Sequence, residues 1–134
     1  MKAHKRSNRL SPVVARRGLS GVGLFAQKAF KKGARIIEYV GRDVPEAEQY
    51  TSRSKYLFEI NDTRTIDGNV KENIARYINH SCRPNCEPDV VRGRVFIYAK
   101  RNIAPGEELT YNYGKEYFTR IIAPKGCRCS KCVA

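Results

Sequence analysis

Five cysteines are the residues of this 134-residue chain whose type and spacing most directly suggest chemistry. Three of them lie within six residues near the end of the sequence, namely Cys127, Cys129 and Cys132. Thiolates this close together suit one tetrahedral Zn²⁺, and a fourth ligand must then come from elsewhere in the chain. The candidates are Cys82 and Cys86, with His80 as a weaker one. The residues predict a zinc site and leave its fourth ligand open.

A second group of reactive side chains is the polar run Asn79, His80 and Ser81, which follows an apolar stretch. Pro84 opposes a helical continuation after it. Because buried polar side chains need hydrogen-bond partners, this run either connects loops or holds a ligand.

Glycine and tyrosine pairs mark two further segments. Gly21 and Gly23 form a short Gly-x-Gly loop before an apolar strand, and the third glycine and following helix of a dinucleotide fingerprint are missing. Tyr111 and Tyr113 stand at i and i+2, and Gly114 then lets the chain turn away. Two tyrosines so spaced share one strand face, where they either pack in the core or line a site.

The elements that must position these groups are short and mainly β. The expected strands are residues 13–15, 24–26, 34–40, 56–60, 63–66, 89–91, 94–99 and 108–111. Short helices are expected at residues 45–52 and 69–78, and tight turns at Asn61-Asp62 and Arg92-Gly93. We therefore predict one small, mainly β domain.

Charge is distributed unevenly along the chain. Lys and Arg number 26 against 13 acids, which gives a net charge of +13, and the first 37 residues contain no acid. This predicts a basic arm that contacts nucleic acid or merely aids solubility. The acids Glu38, Asp43, Glu46 and Glu48 either attract a basic peptide or form a solvated face.

No run of 18 apolar residues and no secretory signal are found, so neither a membrane span nor disulfides are expected.

Four segments follow one another in the sequence: Gly-x-Gly, Asn-His-Ser-Cys-x-Pro-Asn, Glu-Leu-Thr-Tyr-x-Tyr and the final cysteine cluster. Together, and in this order, they resemble the SET-domain family of protein lysine methyltransferases. The likeness runs from about Val13 to Cys132. It implies a β-clip-like fold of short sheets in which residues 79–85 and 111–114 meet in a pseudoknot-like, threaded arrangement. The implied organisation is a flexible basic arm at 1–12, a SET domain at 13–118 and a zinc-binding post-SET tail at 119–134.

The resemblance also implies which residues bind S-adenosylmethionine. They would be Gly21, Val22, Gly23, Leu24, Tyr56, Asn79, His80 and Arg128. By the same resemblance Tyr113 lies closest to the transferred methyl group, and Tyr111 occupies the position where the family carries Phe or Tyr. A tyrosine there favours a mono-methyl product. The implied zinc ligands are Cys82, Cys127, Cys129 and Cys132, which leaves Cys86 as a free thiol.

The function expected from this resemblance is transfer of a methyl group to a lysine of a basic protein such as a histone. Two alternatives are a SET-like module that binds nucleic acid or chromatin with little catalysis, and a purely structural zinc protein. The expected location is intracellular: the nucleus in a eukaryote, or the cytoplasm or a host cell for a bacterial protein. Two departures from the family are a shortened cysteine cluster, Cys-x-Cys-x-x-Cys, and the absence of any tryptophan.

Overall fold

A computed structural model describes residues 11–18, 21–49 and 51–114 of the chain. Most of the predicted basic arm and the whole predicted post-SET tail therefore lie outside the described residues. The same holds for Cys127, Arg128, Cys129 and Cys132. Within the described residues, no helix is long and apolar enough to cross a membrane.

Ten strands, one short α-helix and one 3₁₀ turn form the described part of the chain. The strands are β1 (Val13–Gly18), β2 (Gly21–Ala26), β3 (Arg35–Tyr39), β4 (Arg42–Asp43), β5 (Leu57–Asn61), β6 (Arg64–Asp67), β7 (Asn79–His80), β8 (Cys86–Val91), β9 (Arg94–Ala99) and β10 (Glu108–Tyr111). The α-helix α1 spans Glu46–Gln49, and the 3₁₀ turn spans Ile74–Tyr77. The predicted mainly β class is confirmed.

Three small sheets organise these strands. Their strand orders are β1-β2-β10-β7, β3-β9-β8 and β4-β6-β5. In the first sheet β10 pairs antiparallel with β2 on one side and parallel with β7 on the other. Segments from both halves of the sequence therefore meet at β10.

The core consists of aliphatic side chains from the strands and the loops that cross them. The largest fully buried ones are Leu24, Ile78, Val95, Ile97, Ile103 and Leu109. Leu24 and Leu109 face each other in the β2–β10 pair, and both are fully buried. Because burying one such side chain contributes about 1.5–3 kcal/mol, these residues fix the position of β10 in the fold.

Most predicted strands and one predicted turn are confirmed. The β8–β9 hairpin turns at Arg92 and Gly93, whose φ angles of 55° and 79° are those of a type I′ turn. The β5–β6 hairpin turns at residues 62–63 instead, one position later than predicted. Asn61 ends β5, and its Oδ1 accepts the Thr63 N–H at 2.9 Å, so its side chain supports the turn from the flank.

The short helix predicted at 45–52 is confirmed at Glu46–Gln49. Two other local predictions were wrong. The helix predicted at 69–78 is reduced to the 3₁₀ turn. In that segment the backbone N–H groups of Asn73, Arg76 and Ile78 donate to carbonyls three residues earlier. The buried Asn73 side chain bonds to the Val40 N–H and the Gly68 carbonyl. The Gly21–Gly23 segment is not a loop, because β1 pairs with it along its whole length.

Candidate functional site

The candidate site is built where β7 runs parallel to β10. Asn79 lies opposite Thr110, and His80 lies opposite Tyr111. Beyond the pair, the Ser81 N–H donates to the Tyr111 carbonyl at 3.1 Å. The two most distinctive polar segments of the sequence therefore form one continuous structure.

Asn85 holds this structure together through its side chain. The buried amide donates from Nδ2 to the Glu108 carbonyl at 2.8 Å and accepts the Thr110 N–H on Oδ1 at 2.9 Å. It thus pairs with β10 as a neighbouring strand would. The sequence motif contains Asn85, but its residue type alone does not predict this structural role.

Tyr113 follows β10 and is fixed at both ends. Its backbone N–H donates to His80 Nδ1 at 3.1 Å, and its hydroxyl donates a short hydrogen bond to the Ile78 carbonyl. The ring centroid lies 5.0 Å from that of Tyr111 and 5.3 Å from that of His80. The two tyrosines that the sequence placed on one face are therefore in contact.

His80 has a defined tautomer because of its partners. Nδ1 accepts the Tyr113 N–H, so the proton of the neutral ring is on Nε2, which lies 3.4 Å from the Cys82 sulfur. Partial burial lowers the pKa of His80, which favours the neutral ring at pH 7. Its side chain thus connects the Tyr113 backbone to Cys82.

A small cavity of about 50 Å³ opens beside the two tyrosines. Its lining residues are Tyr39, Lys55, Tyr56, Leu57, Phe58, Arg76, Ile78, Tyr111 and Tyr113. Tyr56 is held there by two bonds to its backbone: the Tyr39 hydroxyl donates to its carbonyl at 2.7 Å, and its N–H donates to Ser54 Oγ at 3.1 Å. The structure brings Tyr56, Tyr111 and Tyr113 together in one aromatic wall.

Two cations also line this cavity. Arg76 Nη1 donates to the Val70 and Asn73 carbonyls at 3.0 and 2.8 Å, and Nη2 donates to the Tyr77 hydroxyl at 2.8 Å. The Lys55 ammonium lies 5.6 Å from the centroid of the Tyr56 ring. Arg76 was not predicted as a site residue, and its position three residues before Asn79 was the only signal for it in the sequence.

The glycine-containing start of β2 lies next to Asn79. Asn79 Nδ2 donates to the Val22 carbonyl at 3.1 Å and to Glu108 Oε2 at 2.8 Å. A Cβ atom on Gly23 would lie 3.0 Å from Glu108 Cδ and 3.1 Å from Asn79 Nδ2, so only glycine fits without displacing this pair. The Leu24 side chain points into the core, which leaves only its backbone for a ligand.

The two described cysteines differ in accessibility. Cys86 in β8 is a fully buried free thiol, and burial raises its pKa to about 12. Cys82 is half-buried beside His80. A high pKa disfavours the thiolate that a metal needs, so Cys82 is the better ligand of the two. No cluster of three metal-ligating side chains occurs among the described residues.

Three of the four acids considered as a peptide-binding face are already ion-paired. The pairs are Glu38–Arg94 at 2.7 Å, Asp43–Arg64 at 2.8 Å and Glu48–Arg42 at 2.5 Å. The Arg94 hydrogen bond lowers the pKa of Glu38 and keeps it ionised. These pairs reduce the negative charge available to a basic peptide, which favours the solvated-face interpretation.

Comparison with known proteins gives a consistent result. A family model described as SET domain matches residues 21–114. The chain is 39% identical over 124 residues to the histone-lysine N-methyltransferase trr of Drosophila melanogaster. It is 44% identical over 112 residues to a histone-lysine N-methyltransferase, H3 lysine-4 specific, of Neurospora crassa, and 40% identical over 121 residues to that of Saccharomyces cerevisiae.

These alignments cover most of this chain but little of the relatives. They include 84%, 74% and 80% of this chain, and 5%, 8% and 11% of the three relatives. The aligned part of each relative therefore corresponds to a small portion of a much longer protein.

Proposed function

The chain belongs to the SET-domain family, and from that premise we propose that it is a protein-lysine N-methyltransferase acting on a basic protein, a histone or histone-like protein. One observation supports this most strongly. The pairing of β7 with β10 places Asn79 and His80 beside Tyr111 and Tyr113, next to an aromatic cavity. A cavity lined by tyrosines suits an aliphatic chain that ends in an amine.

S-adenosylmethionine, when bound, supplies a methyl group on a positively charged sulfur. The residues proposed to hold it fit its polar groups: the backbone of Gly21 and Val22 is on the surface, and Asn79 lies next to it. His80 and Tyr56 complete the proposed binding surface. Arg128 stays in the proposal as a residue of the tail.

The chain's own residues have three tasks in such a transfer. The aromatic wall of Tyr56, Tyr111 and Tyr113 excludes water around an entering lysine, which lowers the pKa of its ammonium group and favours the neutral nucleophile. The nearby cations Lys55 and Arg76 act in the same direction, because like charges disfavour an ammonium. The anchored Tyr113 orients the reacting groups, so positioning accounts for most of the catalysis.

Product multiplicity is proposed to depend on Tyr111. Its side chain is buried against Tyr113, with ring centroids 5.0 Å apart. We expect Tyr111→Phe to convert a mono-methylating enzyme into one that adds a second or third methyl, because removal of the hydroxyl enlarges the space around the amine. Mass spectrometry of the product peptide measures this. Tyr98→Phe, outside the cavity, is the control, and a variant product that is still only mono-methylated contradicts the proposal.

One structural zinc ion is proposed, held by Cys82, Cys127, Cys129 and Cys132. Four thiolates form a closed tetrahedral site that needs no ligand from the buried Cys86. We expect thiol labelling of the folded protein to leave Cys86 unmodified with and without a chelator, because its thiol is buried and its pKa is about 12. Chelation should expose Cys82 to the reagent. Labelling of Cys86 before Cys82, or a metal content of zero, contradicts this assignment.

The proposed function is tested by transfer of labelled methyl groups from S-adenosylmethionine. Histone H3 is the first substrate to test, because two of the relatives are named as specific for its lysine 4. Other histones and small basic bacterial proteins complete the panel. Label on a lysine supports the proposal and identifies the substrate. Cofactor binding with no label on any protein supports the alternative of a binding module, and chromatin or a chromosome is the location to examine in either case.

A further inference from the structure

We propose that Glu108 is a positioning residue for the methyl donor, acting through the side-chain amide of Asn79. This inference rests on the proposed function and extends it to a residue that does not touch the reacting atoms. Asn79 is already proposed to hold the cofactor, and its side-chain carbonyl oxygen can accept a hydrogen bond from an alkylammonium group such as that of the cofactor's amino-acid part. The new element is the role of Glu108 in orienting that oxygen.

Two hydrogen-bond acceptors surround the Asn79 amide nitrogen. Nδ2 lies 2.8 Å from Glu108 Oε2 and 3.1 Å from the Val22 carbonyl oxygen. A carboxylate and a carbonyl only accept hydrogen bonds, so the amide nitrogen must face both of them. The reversed amide would place Oδ1 against two oxygens and is excluded.

The orientation of Nδ2 determines that of Oδ1. With both amide hydrogens used, Oδ1 points away from Glu108, and within the described residues it has no hydrogen-bond partner. It therefore offers an acceptor beside the exposed start of β2, where Val22 is 43% exposed. Because Asn79 Oδ1 can only accept hydrogen bonds, a ligand's ammonium group can bind there, whereas a ligand's carboxylate would be repelled.

Glu108 is itself held in place. It lies in β10 opposite Phe25 of β2, and its carbonyl accepts the Asn85 amide at 2.8 Å. Its carboxylate occupies the space that a side chain on Gly23 would need. The glycine of β2, the carboxylate of β10 and the amide of β7 thus form one unit that fixes a single acceptor.

The test measures cofactor affinity in Glu108→Gln. Glutamine keeps the shape but can present its own amide nitrogen to Asn79, which weakens the preference for one amide orientation and leaves only the Val22 carbonyl to favour it. We expect S-adenosylmethionine to bind about 10-fold more weakly by titration calorimetry, which corresponds to about 1.4 kcal/mol. Because the effect is on binding, KM for the cofactor should rise while kcat at saturation changes less than about twofold.

Two controls separate positioning from other effects. Glu107→Gln removes the neighbouring carboxylate, which pairs with Arg101, and should leave the affinity unchanged within about twofold. In an Asn79→Ala background, adding Glu108→Gln should cause no further loss, because the residue acts through Asn79. Additive losses, or wild-type affinity in Glu108→Gln, overturn the inference.

The outcome is distinguishable from failure of the proposed function. Wild-type protein that binds the cofactor but transfers no methyl group contradicts the enzyme proposal, and the affinity comparison still decides the role of Glu108. Wild-type protein that does not bind the cofactor overturns both. Circular dichroism and chemical unfolding of each variant confirm that it is folded before binding is compared.

Discussion

We expect Tyr113→Phe to abolish most methyl transfer while leaving the fold intact. The variant loses one hydroxyl, which anchors the ring to the Ile78 carbonyl at the wall of the cavity. Removing one well-placed polar group from an active site lowers kcat by about 10²–10³-fold. Because Ile78 is buried, its carbonyl loses a hydrogen-bond partner, and the free energy of unfolding should fall by about 1–3 kcal/mol.

Tyr98→Phe is the matched control for this result. Its hydroxyl also makes a side-chain hydrogen bond, accepting from Arg35 Nη2 at 3.0 Å, but it lies outside the cavity. We expect its kcat to stay within about twofold of wild type. Equal losses in both variants would mean that the effect is on stability, and full activity in Tyr113→Phe would remove Tyr113 from the proposed mechanism.

The strands were predicted well because the spacing of apolar residues and the residue types of tight turns are local features of the sequence. In strand Arg94–Ala99 the alternate residues Val95, Ile97 and Ala99 belong to the core cluster. Its turn needs positive φ angles at Arg92 and Gly93, and glycine makes the second of them accessible. The same reasoning failed for the segment before Asn79. Its apolar spacing is typical of a helix, but the buried Asn73 accepts a hydrogen bond from the N–H of Val40, a residue 33 positions away that no local pattern reveals.

The candidate site was predicted only in part, because roles that depend on contacts between distant residues leave no local pattern in the sequence. Tyr111, Tyr113, Asn79 and His80 came from a motif resemblance, and the structure brings them together in the β7–β10 pair. Residues that act by supporting others were missed. Glu108 has an ordinary residue type, and its importance depends on a neighbour 29 positions away. Such roles depend on the parallel pairing, which composition and spacing do not indicate.

The side chain of Asn85 makes two hydrogen bonds to the backbone of β10. We therefore expect the largest effect on the free energy of unfolding at this position. We expect Asn85→Ala to lower the free energy of unfolding by about 2–5 kcal/mol. Two partly buried backbone groups lose their partners, the Glu108 carbonyl and the Thr110 N–H, and each unsatisfied group costs about 1–3 kcal/mol. Chemical unfolding followed by circular dichroism measures the loss. Methyl transfer should fall as well, because Tyr111 ends the strand that loosens.

Two comparisons show whether the hydrogen bonds or the packing of Asn85 cause this loss. Asn102→Ala removes an exposed amide whose Oδ1 accepts the Lys32 N–H at 2.9 Å, and it should cost less than about 1 kcal/mol. Asn85→Asp keeps the shape but places an acceptor against the Glu108 carbonyl. Burial beside that carbonyl raises the pKa of the new carboxyl in the folded state, so its destabilisation relative to wild type should shrink as the pH falls and the group is protonated. A loss in Asn85→Asp that does not change with pH would assign the effect to packing, and the side chain would then fill space without pairing with β10.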